Sequence, residues 1–273
     1  MARGYIHSFS ATEQARLLRQ AEFLEPLVHP RMDLSSCRQV LEVGCGVGAQ
    51  MRTTLRRHPS TVVTGVDPSR PQIDRARMVL REALAAGRAA LCQGSGSALP
   101  FGAEAFGAAY TVWVLEHVPE PVALLREVRR VLRPGGAVYC TEVFNAGLYV
   151  SPPSPSIAQY WQAFNALQRA LGGDPDVGIR LASLALSAGL TVEWLADSSW
   201  QLDRRIIDVG ARRHAMAFWR DLFASAAPSL MSRGLVSSEL VGAMGGDLMR
   251  LADDADAVFL YAARQVCARK PRT

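Results

Sequence analysis

The chain has 273 residues, 49% hydrophobic and 20% charged, with 30 Lys and Arg against 25 Asp and Glu for a net charge of +5. That composition fits a globular protein with a sizeable core and excludes a disordered chain. Its longest apolar runs, such as Phe106–Leu115, reach about half the length of a membrane span, and no basic stretch followed by an apolar block marks a leader.

Taken in chain order, residues 10–29 read as one amphipathic helix. Ser10 and Glu13 form a capping box, and Leu17, Leu18, Ala21 and Leu24 recur at helical spacing. Gln39–Val43 is a short apolar strand, followed by the turn Gly44-Cys45-Gly46-Val47-Gly48 and a helix over 49–57. Thr61–Val66 is a second strand, ending at Asp67. Pro71–Ala86 is a helix, Ala89–Gln93 a third strand and Ala108–Val114 a fourth. Glu120–Leu132 is a helix closed by Arg133-Pro134-Gly135-Gly136, and Ala137–Val143 is a fifth strand. Strands alternating with helices at this spacing predict an α/β fold: a Rossmann-like, doubly wound sheet of mostly parallel strands.

The second half is less regular. Asp176–Ala188 reads as a helix, Leu190–Leu195 as a sixth strand, 203–254 as helix broken at Pro228 and at Gly245-Gly246, and Ala257–Cys267 as a last strand. One domain is expected, with core segments at about 36–143, 177–197 and 257–268. Residues 1–35, 144–176 and 198–256 would form a lid and flap. Arg264, Arg269, Lys270 and Arg272 hold four of the five excess charges, leaving +1 on residues 1–263. This pattern reads as a solvated basic tail on a nearly neutral body, and nucleic acid is not the expected partner. Five cysteines, odd in number and without a CxxC pair, argue against a disulfide framework or a metal site and fit free thiols in the cytoplasm.

The richest motif is Glu42-Val43-Gly44-Cys45-Gly46-Val47-Gly48. Its GxGxG spacing is neither the dinucleotide GxGxxG nor a P-loop. Glu42, just before the turn, suits a ligand with a cationic group. Asp67, ending the next strand 25 residues later, stands where doubly wound folds hold a ribose diol. The alternatives are a simple tight turn for each glycine, a helix N-cap for Asp67, and packing for Cys45.

Five stretches in order carry a resemblance: Glu42–Gly48, Val63–Asp67, Gly94–Phe101 with Leu99-Pro100-Phe101, Val114–Pro119, and Arg130–Gly136. Over about residues 38–143 the chain resembles class I S-adenosylmethionine-dependent methyltransferases, in the small-molecule group that includes the ubiquinone and menaquinone C-methyltransferases. The resemblance implies a seven-stranded sheet with its last strand antiparallel, and S-adenosyl-L-methionine as cofactor. It assigns the methionine part to Glu42, Gly44, Cys45, Gly46 and Gly48, and the ribose to Asp67. Pro68, Gly94, Ser95, Gly96 and Ser97 would lie around the adenine, and Val112 and Trp113, late in the fourth strand, would also touch the cofactor. Where the family often has an acid for the adenine amino group, this chain has Ser95.

Methyl transfer needs a base only when the acceptor must lose a proton. His117, beyond the fourth strand and beside Glu116, is the first candidate; its alternative is packing against the cofactor. Tyr5 and His7 are the second, on a flap folded over the site. Tyr149, Tyr160, Trp161, Phe164, Trp200, Phe218, Trp219 and Phe223 concentrate in the lid. They would form an aromatic acceptor pocket or, for most of them, simply the lid's core. Arg180 and His214 are further candidates for the pocket wall. The expected function is methyl transfer to N or O, with C also open, of a small molecule such as a secondary metabolite, by a monomer or homodimer. The rivals are a tRNA or other macromolecule methyltransferase, a non-catalytic cofactor-binding regulator, and an NAD-dependent oxidoreductase, which the GxGxG spacing argues against.

Overall fold

The computed structural model describes Ile6 and residues 10–272. The chain begins with α1 (Ala11–Phe23) and α2 (Glu25–Val28), then alternates β1 (Gln39–Val43), α3 (Ala49–Arg57), β2 (Val62–Asp67), α4 (Arg70–Val79), α5 (Arg81–Ala85) and β3 (Ala89–Gln93). It continues through β4 (Phe106–Val112), α6 (Pro121–Val131) and β5 (Leu132–Val143). After β6 (Tyr149–Ser151) and α7 (Pro155–Ala170) come α8 (Leu181–Ser187), β7 (Thr191–Asp197) and β8 (Trp200–Leu202). The last elements are α9 (Val209–Ala224), α10 (Ala227–Met231), α11 (Ser238–Asp253), β9 (Val258–Tyr261) and β10 (Ala263–Arg269).

Seven strands form one sheet in the order β3-β2-β1-β4-β5-β10-β7. Only β10 runs antiparallel to its neighbours, as the resemblance implies. α6 and α8 cover one face through Leu124, Leu125, Val128, Leu181 and Leu184, while Met51 and Leu55 of α3 and Ile73 of α4 fill the other. Each of these buried side chains contributes roughly 1.5–3 kcal/mol. The strand order reverses between β1 and β4, and ligands in such sheets bind at that reversal, beyond the carboxyl ends of the strands.

The lid is built differently from expectation. α7, α9 and α11 pack around Tyr160, Trp161, Trp219 and Phe223, and a three-stranded antiparallel sheet β6-β9-β8 closes the group. Ala257–Cys267 is therefore two strands: β9 joins this lid sheet and β10 the main one. α11 runs unbroken through Gly245 and Gly246. Burial of Met244, Leu248 and Leu251 outweighs the roughly 1 kcal/mol that each glycine costs. The opposite correction applies at 10–29, where Pro26 forces a restart and Leu24 separates α1 from α2. Helix begins at Val209, not 203, with Asp208 as its N-cap. Residues 177–180 form a 3-10 turn ahead of α8.

The basic segment is not a tail. Arg264 and Arg269 lie in β10, Arg269 pairs with Glu193, and the Lys270 ammonium donates to the Leu132 carbonyl at 2.8 Å. Among the described residues, no helix is long and apolar enough to cross a membrane.

Candidate active site

The carboxyl ends of β1 and β4 open into a cavity of about 610 Å³, within the usual range for small-molecule sites. Its floor is the loop after β1. Gly44 and Cys45 N–H groups both donate to the Val66 carbonyl, at 2.7 and 3.0 Å, which ties the turn to the end of β2. Gly44 has φ +74°, and a Cβ there would stand 2.5 Å from the Val114 side chain. Gly46 has φ +50° and open space where its Cβ would be. One glycine thus lets two loops touch, and the other leaves room against the cavity.

Asp67 ends β2 and bridges these loops. Its Oδ2 accepts from Gly46 N–H at 2.9 Å and its Oδ1 from Ser69 N–H at 2.8 Å. Burial raises its pKa, opposed by those two donors. The N-cap of α4 is Ser69 rather than Asp67, so helix capping does not explain the acid. Glu42 is fully buried and accepts from the Tyr110 hydroxyl at 2.7 Å. Burial is the main force pushing its pKa up to about 8, and the nearby Asp67 adds to it. The Cys45 thiol is also buried, with a pKa raised well above its ordinary value by burial; it packs where a Gly65 Cβ would otherwise stand. An inert packing thiol accounts for it.

Glu42, Gly44, Cys45, Gly46, Asp67 and Pro68 all border the cavity, as do Ser95, Gly96, Ser97, Val112, Trp113 and His117. Gly48 and Gly94 do not border it. Gly48 starts α3, and the Gly94 N–H donates to the Asp67 carbonyl at 3.1 Å, so both shape the wall from behind. The Ser95 and Ser97 hydroxyls pair with each other at 2.9 Å.

The segment after β4 is held by a residue that sequence reasoning missed. Glu142, fully buried near the end of β5, accepts N–H bonds from Val114 at 3.0 Å, Leu115 at 2.9 Å and Glu116 at 3.3 Å. Burial and the neighbouring Glu116 carboxyl push its pKa up to about 8, against those three donors. Just before them Trp113 takes φ +54°, a strained backbone for a bulky residue. Glu116 accepts from the Gln168 amide of α7 at 2.7 Å, and its backbone carbonyl accepts from Asp174 N–H at 2.9 Å. The His117 Nε2 lies 3.7 Å from a Glu116 oxygen. An acid inside the apolar run of β5 was the available signal for Glu142; nothing local marked Gln168.

α1 roofs the cavity. Its Arg16, Leu17, Gln20 and Ala21 face inward, and Gln14 reaches Gln72 of α4 at 3.1 Å. Arg16 is itself buried and paired with Glu13. Ile6 also borders the cavity, whereas Tyr5 and His7 lie outside the described residues. The expected aromatic lid pocket is not formed here. Tyr160, Trp161, Phe164, Trp219 and Phe223 are buried in the lid's own core, where Trp161 stacks on Phe164 and Phe223 and Trp219 packs against Tyr261. Among the described residues, Trp113 is the one Phe, Tyr or Trp on the cavity wall, and the lid supplies Gln168, Leu171 and Gly173. Arg180 pairs with Asp174, the His214 ring lies 6.4 Å from Phe23, and neither borders the cavity.

Comparison with known proteins places this geometry. Residues 41–140 match the family described as methyltransferase domain. These residues are a class I S-adenosylmethionine-dependent methyltransferase domain. The chain is 29% identical over 194 residues to 24-methylenesterol C-methyltransferase 2 of Oryza sativa, covering 69% of this chain and 51% of that protein. Demethylmenaquinone methyltransferase of Roseiflexus castenholzii is 34% identical over 146 residues, covering 52% of this chain and 57% of that one. The chain spans about half the length of the curated relatives it matches. Among solved structures, the [4+2]-cyclase SpnF superposes with a TM-score of 0.56 at 22% identity, over 94% of this chain and 81% of that one. Geranyl diphosphate C-methyltransferase of Streptomyces coelicolor does so with 0.54 at 17%, over 92% and 75%. At these identities the structures speak for the fold.

Proposed function

We propose that the protein transfers the methyl group of S-adenosyl-L-methionine to a small-molecule acceptor, at a nitrogen or oxygen that loses a proton. The observation that carries this reading is a single cavity bordered at one end by the GxGxG loop with Glu42 and Asp67, and elsewhere by Glu116 and His117. The residues fit the cofactor. Two carboxyls, of Glu42 and Asp67, border the cavity as candidate acceptors for an ammonium and a ribose diol, and the open side of Gly46 leaves backbone accessible. When bound, the cofactor supplies a methyl group on a sulfonium, already activated for displacement.

The protein's own part is orientation, exclusion of water and proton handling. Asp67 would take the ribose hydroxyls and Glu42 the methionine amino group. Ser95, Gly96 and Ser97 would edge the adenine, with backbone groups serving where the family often has an acid. α1 and the α7 loop line the outer wall of the cavity and would limit the water around the transfer. His117, on the cavity wall next to Glu116, would take the acceptor's proton. That wall of α1 and α7 residues also favours a small acceptor over a folded RNA. The sterol, demethylmenaquinone and geranyl diphosphate relatives act, by their names, on small molecules.

The test is incubation with methyl-labelled S-adenosylmethionine and a panel of phenols, amines and isoprenoids, with total tRNA alongside. Label entering a phenol or amine supports the proposal. Label entering only an isoprenoid carbon or tRNA, or cofactor binding with transfer to none of them, overturns it.

A further inference from the structure

Glu42 is the one carboxyl of β1, and the structure has arranged two hydroxyls behind it. Glu42 and Tyr110 are register partners in the parallel pair β1–β4, so their side chains lie side by side. The partner of Glu42 on the other side is Gly65, which presents no side chain. The Tyr110 hydroxyl therefore meets Glu42 Oε2 without competition from that strand, at 2.7 Å, and itself accepts from the Thr54 hydroxyl of α3 at 3.0 Å. Tyr110 and Thr54 are both completely buried. Apolar residues at 54 and 110 would fill the same space without desolvating any polar group. The hydroxyls satisfy one another only by ending on Glu42, and among the described residues Glu42 Oε1 takes no hydrogen bond.

We propose that Tyr110, backed by Thr54, is a positioning residue for the cofactor: its hydroxyl fixes the Glu42 carboxyl so that the second oxygen is presented to the cationic amino group of S-adenosylmethionine. This rests on the functional reading above. The chain Thr54 to Tyr110 to Glu42 sets both the rotamer and the charge of the acid. A phenol donor favours the ionised carboxyl, opposing burial and the Asp67 charge, which favour the neutral one. The titratable groups around Glu42 are Tyr110 from β4, Asp67 from β2 and Cys45 from the loop. Asp67 is held by Gly46 and Ser69 N–H groups, so removing the Tyr110 hydroxyl leaves its bonds in place.

The experiment is calorimetric titration of the full chain with S-adenosylhomocysteine, which keeps the amino group and transfers nothing. Tyr110→Phe weakens binding about tenfold or more at neutral pH, the range for a hydrogen bond to a charged group. Thr54→Val acts in the same direction and less strongly. In a Glu42→Gln background the Tyr110→Phe change loses its effect, because the charge it served is gone. Between pH about 6 and 8 the affinity of the unmodified chain rises as Glu42 ionises, and in Tyr110→Phe that rise moves to higher pH. Wild-type affinity and pH dependence in both single variants, or equal weakening with and without Glu42, would overturn the proposal alone. Failure of the unmodified chain to bind S-adenosylhomocysteine overturns the functional reading and the proposal together.

Discussion

Glu142 offers the sharpest test of how the site is held. The substitution Glu142→Ala removes one buried carboxyl that accepts three consecutive N–H groups, those of Val114, Leu115 and Glu116. Each buried donor left without a partner costs about 1–3 kcal/mol. Water entering the vacated space and relief of the carboxyl's own burial offset part of that sum. The expected net loss is about 3–5 kcal/mol, the lower part of the roughly 3–9 kcal/mol that three orphaned donors would cost. Glu142→Gln separates the parts. Its amide oxygen can keep the Val114 and Leu115 bonds, which both fall on one oxygen, while its NH₂ faces the Glu116 N–H donor. The cost is then that of one broken bond, about 1–3 kcal/mol. Urea denaturation followed by tryptophan fluorescence measures both. An alanine variant within about 0.5 kcal/mol of wild type, the range of an ordinary surface substitution, would refute the claim that this carboxyl organises the segment.

Asp67→Ala weakens S-adenosylhomocysteine binding by about tenfold or more, because both ribose hydroxyls lose a buried acceptor; calorimetry reads this, and unchanged affinity refutes the ribose assignment. His117→Gln lowers turnover on the identified acceptor by about 10²-fold or more while S-adenosylhomocysteine affinity stays near wild type, and a full-speed variant removes the base assignment. The free protein's stability falls as pH rises from about 6.5 to 8. The Glu42 pKa is raised in the folded state to about 8, so the folded form holds a proton there that the unfolded form has lost. Below about 6.5 His29 opposes this trend, since its folded pKa is depressed to about 4, chiefly by burial. Glu142, likewise raised to about 8, adds to the same slope, so Glu42→Gln removes about half of it in thermal melts; an unaltered slope refutes the buried neutral acid at Glu42.

The alternating first half was legible because βαβ units repeat two clear periods, and because β1 and β2 end in motifs with their own chemistry. Glu42, Asp67 and His117 were singled out that way, and all three border the cavity. What stayed hidden depends on partners distant in sequence. Gly245 and Gly246 sit inside α11 because Met244 and Leu248 bury against α7 and α9, a tertiary gain that local propensity does not report. Ala257–Cys267 reads as one strand until Ala262 separates two sheets. The lid aromatics look like a pocket from composition alone, yet they face one another. Arg264 and Arg269 look like a tail, yet β10 lies between β5 and β7, with their side chains at its ends. Gln168 joins the site only through the fold of α7 over Glu116.

The most direct test of the central claim is calorimetric titration of the full chain with S-adenosylhomocysteine and, in parallel, with NAD. The site described here predicts one-to-one binding of S-adenosylhomocysteine, weakened by Asp67→Ala, and no binding of NAD. Binding of NAD with none of S-adenosylhomocysteine would contradict it.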